Sequence, residues 1–443
     1  MNKNKQKGMS SGVAYALGML SYNMEYTIIA QLNYALTDSY SFSAIAAGMI
    51  FLISRFFDGF TDIVAGYVID RFNPKCGKSR VYDLLHLPMW VLLVLTFSVP
   101  EIGTTGKFIW VFVFYNLLQS VTTTFMNVAE PLRLQRSVSE DKHISVMRTT
   151  SFLTLVVGYA GGIALPSLIS YFEDLPHGWT YITLIFAIPF TILGTLRFFL
   201  LPELPGVAEQ SAQSQERPSL PECIKALFSN KYSLIFGGVM ICWAMYNTIN
   251  TSTSTYYFTH VYGDLSAASL IALPGMLSII FVLFIPKIVE KFGKENSVRM
   301  GLCAAAAACL LKLLFPYNLL GLGLLSLVST CGIMVLSFMK QLLNIDCITY
   351  GKLKNRNAVE AAYSTVNSVA DKVGLGLGSL VLGVILQIGG YDGDAAVQSA
   401  SALLTIRALY TVIPAALMII AIIFFAFYHA ERDIRNLQKE QVR

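Results

Sequence analysis

Apolar blocks of about 20–28 residues recur along the chain, each closed by a short polar stretch. A helix rises 1.5 Å per residue, so about 20 residues cross the roughly 30 Å hydrocarbon layer of a bilayer. The pattern predicts helical spans over about 12–37, 43–70, 81–99, 106–130, 147–172, 179–201, 232–259, 265–289, 297–317, 319–348, 358–390 and 398–429. The first block lacks the short apolar core and small-residue cleavage site of a signal peptide, and reads as a retained helix. The expectation is an all-α membrane protein of twelve transmembrane helices.

Lys and Arg set the orientation. Alternate polar segments collect them: Lys3/Lys5/Lys7, Arg71/Lys75/Lys78/Arg80, Arg133/Arg136/Lys142/Arg148, Arg197/Arg217/Lys225/Lys231, Lys287/Lys291/Lys294/Arg299, Lys352/Lys354/Arg356 and Arg432/Arg435/Lys439/Arg443. The intervening loops carry Lys107 and otherwise Glu101, Glu173, Asp174, Asp264, Asp392 and Asp394. Both termini are therefore expected in the cytoplasm of a bacterial-type plasma membrane, with an even number of spans. The net charge of +5 reflects this bias and gives no reason to expect nucleic-acid binding.

Composition agrees. Only 13% of the 443 residues are charged and 55% are hydrophobic, whereas a soluble domain carries roughly 25% charged residues. The cysteines have no metal-ligand spacing and read as packing residues. Pro202, Pro205, Pro218 and Pro221 bracket the longest polar interruption. It predicts an N-terminal six-helix bundle over 1–201, a cytoplasmic linker over 202–231, and a C-terminal bundle with a short tail over 232–443. The halves resemble each other: Ile69-Asp70-Arg71-Phe72 followed by Gly77-Lys78 and Arg80 matches Val289-Glu290-Lys291-Phe292 followed by Gly293-Lys294 and Arg299. Transporters built from duplicated units bind substrate near the midplane.

Candidate chemistry lies in charges that the bilayer disfavours. Arg55, Asp58 and Asp62 share one face of the second span. Each charge at a helix centre costs about 2.5–3.5 kcal/mol on insertion scales, so the set persists only if paired, hydrated or holding an ion. Arg55 can neutralise one carboxylate, leaving the other, with the Thr61 hydroxyl, for a monovalent cation. Asn116, Ser120, Thr123, Asn127 and Glu130 form a polar stripe on the fourth span, bordered by Thr124. Tyr22, Glu25 and Tyr26 share a face of the first. Asn247 and Asn250 begin a polar run in the seventh, the tenth carries Lys340 and Asp346, and the eleventh carries Asp371-Lys372. Hydroxyls, amides and Tyr faces suit a polyhydroxylated ligand. Lys312, Arg407 and Glu360 read as anchors or pairs at span ends, and His86, His143, His177, His260 and His429 receive no proton-relay role. No nucleophile–base set or cofactor motif points to an enzyme.

At these residues the chain resembles the glycoside–pentoside–hexuronide:cation symporters, the melibiose-permease branch of the major facilitator superfamily. The motifs are Tyr34-Ala-Leu-Thr37-Asp38, Arg55-x-x-Asp58-x-x-x-Asp62 with Gly66 and Gly77-Lys78, Tyr256-Tyr257-Phe258-Thr259 with Gly263-Asp264, Asp346-x-x-x-Tyr350-Gly351, and Asp371-Lys372 with Gly390-Tyr391. The resemblance implies two pseudo-symmetric six-helix bundles and symport of a sugar with Na+ or H+, with no resident cofactor or metal. It matches Asp58 and Asp62 to cation-site carboxylates, Thr61 to an Asn position, Thr124 to a contributing Thr, and Lys372, with Arg55, to coupling. Asn127 and Arg148 fall near sugar-site positions, and Tyr22, Glu25, Tyr26, Glu130, Asn247 and Asn250 complete the expected substrate set. The family's first-helix acid is replaced by Met19 or Tyr22, its fourth-helix sugar-stacking Trp is missing, and Ile63 stands where a Pro usually follows the second Asp. Galactoside specificity is therefore not carried over. The alternative is a same-fold transporter or facilitator of a non-sugar solute, such as an organic anion or a lipid-like molecule.

Overall fold

The computed structural model describes residues 11–441 except 73, 75, 140–141, 173–174, 205–229, 355–359 and 396. Most of the expected linker therefore lies outside the described residues. Those described are overwhelmingly helical, with no strand among them.

The helices follow the apolar blocks closely. They are α1 (Ser11–Ile29), α2 (Ala44–Arg71), α3 (Arg80–Phe97), α4 (Thr104–Ser137), α5 (His143–Phe172) and α6 (Gly178–Leu200), then α7 (Lys231–Tyr262). The eighth span is broken, α8 running Ala267–Val282 and Ile285–Phe292 with a bend of 56°. Next come α9 (Lys294–Leu314), α10 (Leu319–Lys354), α11 (Glu360–Ile388), α12 (Ala400–Tyr410 and Val412–Ala426) and a terminal α13 (Ala430–Gln441). Ten helices among the described residues are long and apolar enough to cross a membrane, or eleven if the bent pair is one span. α1 is not among them, so the count of twelve is not established by length and apolarity alone.

Exposed surfaces explain the low charge. On α6 the side chains of Ile185, Ile188, Ile192, Leu196 and Phe199 recur every three or four residues and are all exposed. In water such an apolar stripe would be an adhesive patch; against lipid tails it is the expected face.

The chain divides into two compact units. One comprises Met1–Ala35 and Ser54–Ser214; the other comprises Leu36–Ile53 and Gln215–Arg443. Segment 36–53, expected within the N-terminal bundle, groups with the second unit. Within that unit Thr37 hydrogen-bonds Tyr256 at 2.8 Å, and Asp38 accepts from His260 at 2.9 Å and from the Tyr391 hydroxyl. His260, given no role from sequence, is part of this anchoring.

The sequence repeat has a backbone counterpart. Gly77 and Gly293 both have positive φ, +116° and +81°, a region that side-chain-bearing residues rarely enter. A different glycine use appears where α9 crosses α10: a Cβ on Gly301 would lie 2.5 Å from the Gly332 carbonyl oxygen. Gly301→Ala should destabilise the protein by about 1–3 kcal/mol through forced separation of two backbones. Gly162, whose Cβ would meet nothing within 4 Å, should tolerate Ala with no loss. Thermal-shift midpoints of the two variants check this pair; equal midpoints would show that the crossing yields freely.

Candidate functional site

The acidic site of the first unit is organised by α4. Its middle turn, Leu117–Thr123, is a π-helical segment, a distortion found often at functional sites. The wider turn presents Gln119 and Ser120, adjacent in sequence, to two different helices. Gln119 Nε2 donates to Glu25 Oε1 on α1 at 2.7 Å, and Ser120 Oγ donates to Asp58 Oδ1 on α2. Arg55 Nη1 donates to Asp58 Oδ2 at 2.7 Å, and its Nη2 reaches the Tyr115 hydroxyl at 3.4 Å. Asp58 is 2% and Glu25 1% exposed.

These contacts place three predicted groups (Arg55, Asp58 and Glu25) around one π-helical turn. The carboxylates differ in compensation. Asp58 has a guanidinium, whereas the identified partner of Glu25 is a neutral amide. Asp62, one turn along α2, is half-buried. Thr61 donates its hydroxyl to its own helix, to Phe57 O at 3.0 Å and Asp58 O at 3.2 Å. Thr124 does the same toward Gln119 O at 3.3 Å. Both hydroxyls therefore keep only lone pairs to offer an ion. Among the described residues no three His, Cys, Asp or Glu side chains gather closely enough to hold a metal ion. A cation here would be held by carboxylates, hydroxyls and water.

The predicted substrate residues of the first unit separate into three situations. Asn127 donates to the Tyr22 hydroxyl at 2.9 Å. Tyr26 and Arg148 are exposed. Glu130 is occupied: both its oxygens accept from Arg197, at 2.7 and 2.9 Å. Tyr22, Asn127, Glu130, Arg197 and His86 line a cavity of about 10 Å³, room for about one water. A sugar does not fit there.

Glu130 belongs to a larger ion network that the sequence concealed. Asp83 accepts from Arg133 at 2.8 Å and from Arg197 at 2.7 Å. Arg133 also donates to Leu201 O at 2.5 Å. Asp83, Arg133 and Arg197 are each no more than 3% exposed. Arg133 and Arg197 thus serve as more than cytoplasm-facing markers of orientation. Gly18 makes the arrangement possible, since a Cβ there would sit 2.4 Å from Arg197 Cζ. Lys312, expected as an anchor or pair at a span end, is likewise buried, its ammonium 4.5 Å from the Tyr410 ring centroid.

In the second unit Lys294 pairs with Asp346 at 2.8 Å, and Lys340 with Asp371 at 2.5 Å. Lys340 Nζ also lies 5.0 Å from the centroid of Trp243. Asn247 donates to Trp243 O at 2.8 Å. Asn250 Oδ1, Trp243 Nε1 and Asp371 Oδ1 are buried and have no hydrogen-bond partner among the described residues. Lys372, half-buried, follows Asp371.

The comparisons with known proteins fit a helical bundle carrying such interior polar groups. The isoprimeverose transporter of Lactiplantibacillus pentosus is 28% identical, covering 96% of this chain and 89% of that protein. A putative glycoside/cation symporter, YagG, of Escherichia coli strain K12 is 24% identical over 96% of this chain and 92% of its own. Among solved structures, the nucleoside transporter NupG superposes with a TM-score of 0.63 at 16% identity, covering 95% of this chain and all of that one; this likeness shows the major facilitator fold alone. The family model described as MFS/sugar transport protein matches residues 14–432, so the chain belongs to that family of multi-pass membrane transporters and is not an enzyme.

Proposed function

We propose that this transporter imports a glycoside in symport with a monovalent cation, Na+ or H+, by alternating access. The observation that carries the reading is the pair Asp58 and Glu25, buried carboxylates bonded to neighbouring residues of one π-helical turn, with the Arg55 guanidinium on Asp58. Two carboxylates beside Arg55 concentrate negative charge in a low-dielectric interior, which a bound proton or cation would stabilise. Loading that site neutralises it and reorders the α4 turn, which bonds α1 and α2 at once. The turn thereby links ion occupancy to helix position. Asp62, Thr61 and Thr124 stand beside it as further oxygen donors.

The sugar half of the reading draws on the family and on relatives named for isoprimeverose and glycoside/cation transport. The polar face of α7, from Asn247 to Ser254, supplies amides and hydroxyls for hydroxyl recognition. The Lys and Arg asymmetry supports an orientation with both termini in the cytoplasm, and the bacterial relatives support a bacterial-type plasma membrane.

Uptake of radiolabelled isoprimeverose and a panel of methyl glycosides into membrane vesicles tests the proposal. We expect accumulation that depends on an imposed Na+ or H+ gradient and collapses when the gradient is dissipated. Equal uptake with and without either gradient, for every glycoside taken up, would remove the coupling; uptake of none would remove the sugar.

A further inference from the structure

Eight polar side-chain atoms of the second unit are buried without a hydrogen-bond partner among the described residues, and three of them belong to Trp243, Asp371 and Asn250. Trp243 Nε1 is a donor without an acceptor; Asp371 Oδ1 and Asn250 Oδ1 are acceptors without a donor among the described residues. Leaving a buried polar group unmade costs about 1–3 kcal/mol, so three on neighbouring helices call for an explanation. They are not scattered. Lys340 on α10 joins the first two, because its ammonium is 2.5 Å from Asp371 Oδ2 on α11 and 5.0 Å from the Trp243 ring centroid on α7. Trp243 and Asn250 are seven residues apart, two turns on one face of α7, or about 10.5 Å along its axis.

The helices that carry these groups are held closely. α11 presses on α7 through glycines: a Cβ on Gly374 would lie 2.7 Å from Ile241 O, and one on Gly378 would lie 3.0 Å from Thr248 Cβ. Gly374 and Gly378 follow Asp371 by three and seven residues, so they share its face. Asp371 is thereby held at the level of α7 where Trp243 lies.

The unmet groups define a ligand chemistry. An indole N–H needs an acceptor and a carboxylate oxygen needs a donor; a hydroxyl is both. The pair Lys340–Asp371 is neutral overall, and the free carboxylate oxygen would repel a second carboxylate. The separation of Asn250 from Trp243 asks for a ligand longer than one ring. We propose that Trp243, Lys340, Asp371 and Asn250 form a hydroxyl-binding wall for a neutral glycoside of two linked rings. This rests on the sugar-transport reading above and narrows it, against hexuronides.

The test uses the full chain purified into lipid nanodiscs and calorimetric binding of isoprimeverose, methyl glucoside and methyl glucuronide. The wild type should bind isoprimeverose at least tenfold more tightly than methyl glucuronide. Trp243→Phe, which keeps the ring beside Lys340 and removes only the N–H, should weaken isoprimeverose about fivefold. Asp371→Asn should weaken it tenfold or more, since hydrogen bonds to charged groups are the stronger class, and should narrow the gap to methyl glucuronide. Melting midpoints in the absence of sugar should hold or rise for Trp243→Phe, because the unmet N–H is removed, whereas an N–H making a structural bond would give a fall. If Asp371→Asn fails to fold because Lys340 is left unpaired, Trp243→Phe carries the test by itself. Wild-type affinity for isoprimeverose in Trp243→Phe and in any folded Asp371→Asn overturns the wall and leaves sugar transport standing. Preference for methyl glucuronide overturns the neutral class. Binding of no sugar by the wild type overturns the sugar reading and this inference with it.

Discussion

Asp58→Asn is expected to abolish concentrative uptake while leaving the protein folded. The amide keeps the shape of the side chain, and its oxygen can still accept from Arg55 or Ser120, which hold Asp58 at present. What disappears is the charge that a cation would neutralise. One charge crossing 100 mV releases about 2.3 kcal/mol, enough for roughly fifty-fold accumulation of a co-transported solute at about 1.4 kcal/mol per decade. The variant should fall from that level to none. Gradient-driven uptake and substrate counterflow should be measured on the same vesicles. Counterflow needs no coupling and should survive in part, whereas a misfolded protein would lose both. Undiminished accumulation by Asp58→Asn would place the coupling ion elsewhere. Glu25→Gln, which keeps an oxygen for Gln119, then becomes the next carboxylate to examine.

The largest effect on stability should come from Asp83→Ala. Asp83 accepts from Arg133 and Arg197 at 2.8 and 2.7 Å with all three side chains buried. Truncating it leaves Arg133 without its carboxylate partner and Arg197 with Glu130 alone. Breaking a buried ion pair from one side costs about 3–5 kcal/mol, because the surviving charge stays desolvated. We expect strongly reduced yield in the membrane and much faster thermal inactivation. Asp83→Leu combined with Arg133→Met removes both charges of one pair and should recover part of the loss. If Asp83→Ala inactivates at the wild-type rate, the network is solvated or can rearrange. The two experiments separate by readout: Asp58 variants are expected to lose coupling while counterflow survives, and Asp83 variants alter stability first.

The span pattern needed nothing beyond the chain itself. A bilayer demands about 20 apolar residues per crossing, a local requirement, and the observed α2, α6 and α9 lie within a few residues of the expected blocks. The repeat was also legible locally, in Gly77-Lys78 and Gly293-Lys294, because a positive φ selects glycine whatever surrounds it. Pairing of Arg55 with Asp58 followed from helical spacing. Glu25 was legible as an interior acid, but its bond to Gln119 depends on the π-helical turn of α4, which no periodicity at 3.6 residues reveals.

Other features were decided only by long-range packing. Arg133 and Arg197 carry the composition of cytoplasmic anchors and Lys312 that of an anchor or pair at a span end, yet burial depends on what another helix offers: Asp83 for the two arginines, Tyr410 for the lysine. The reassignment of 36–53 to the second unit, through Asp38, His260 and Tyr391, joins residues more than 200 positions apart. Trp243, Lys340 and Asp371 lie on three separate helices and look unremarkable one at a time. Hydrophobicity and backbone preference are properties of a residue and its near neighbours, so the chain by itself determined membrane residence, span positions and the acidic motif. Charge pairing and unmet hydrogen bonds are properties of distances between helices, and only the tertiary structure sets those.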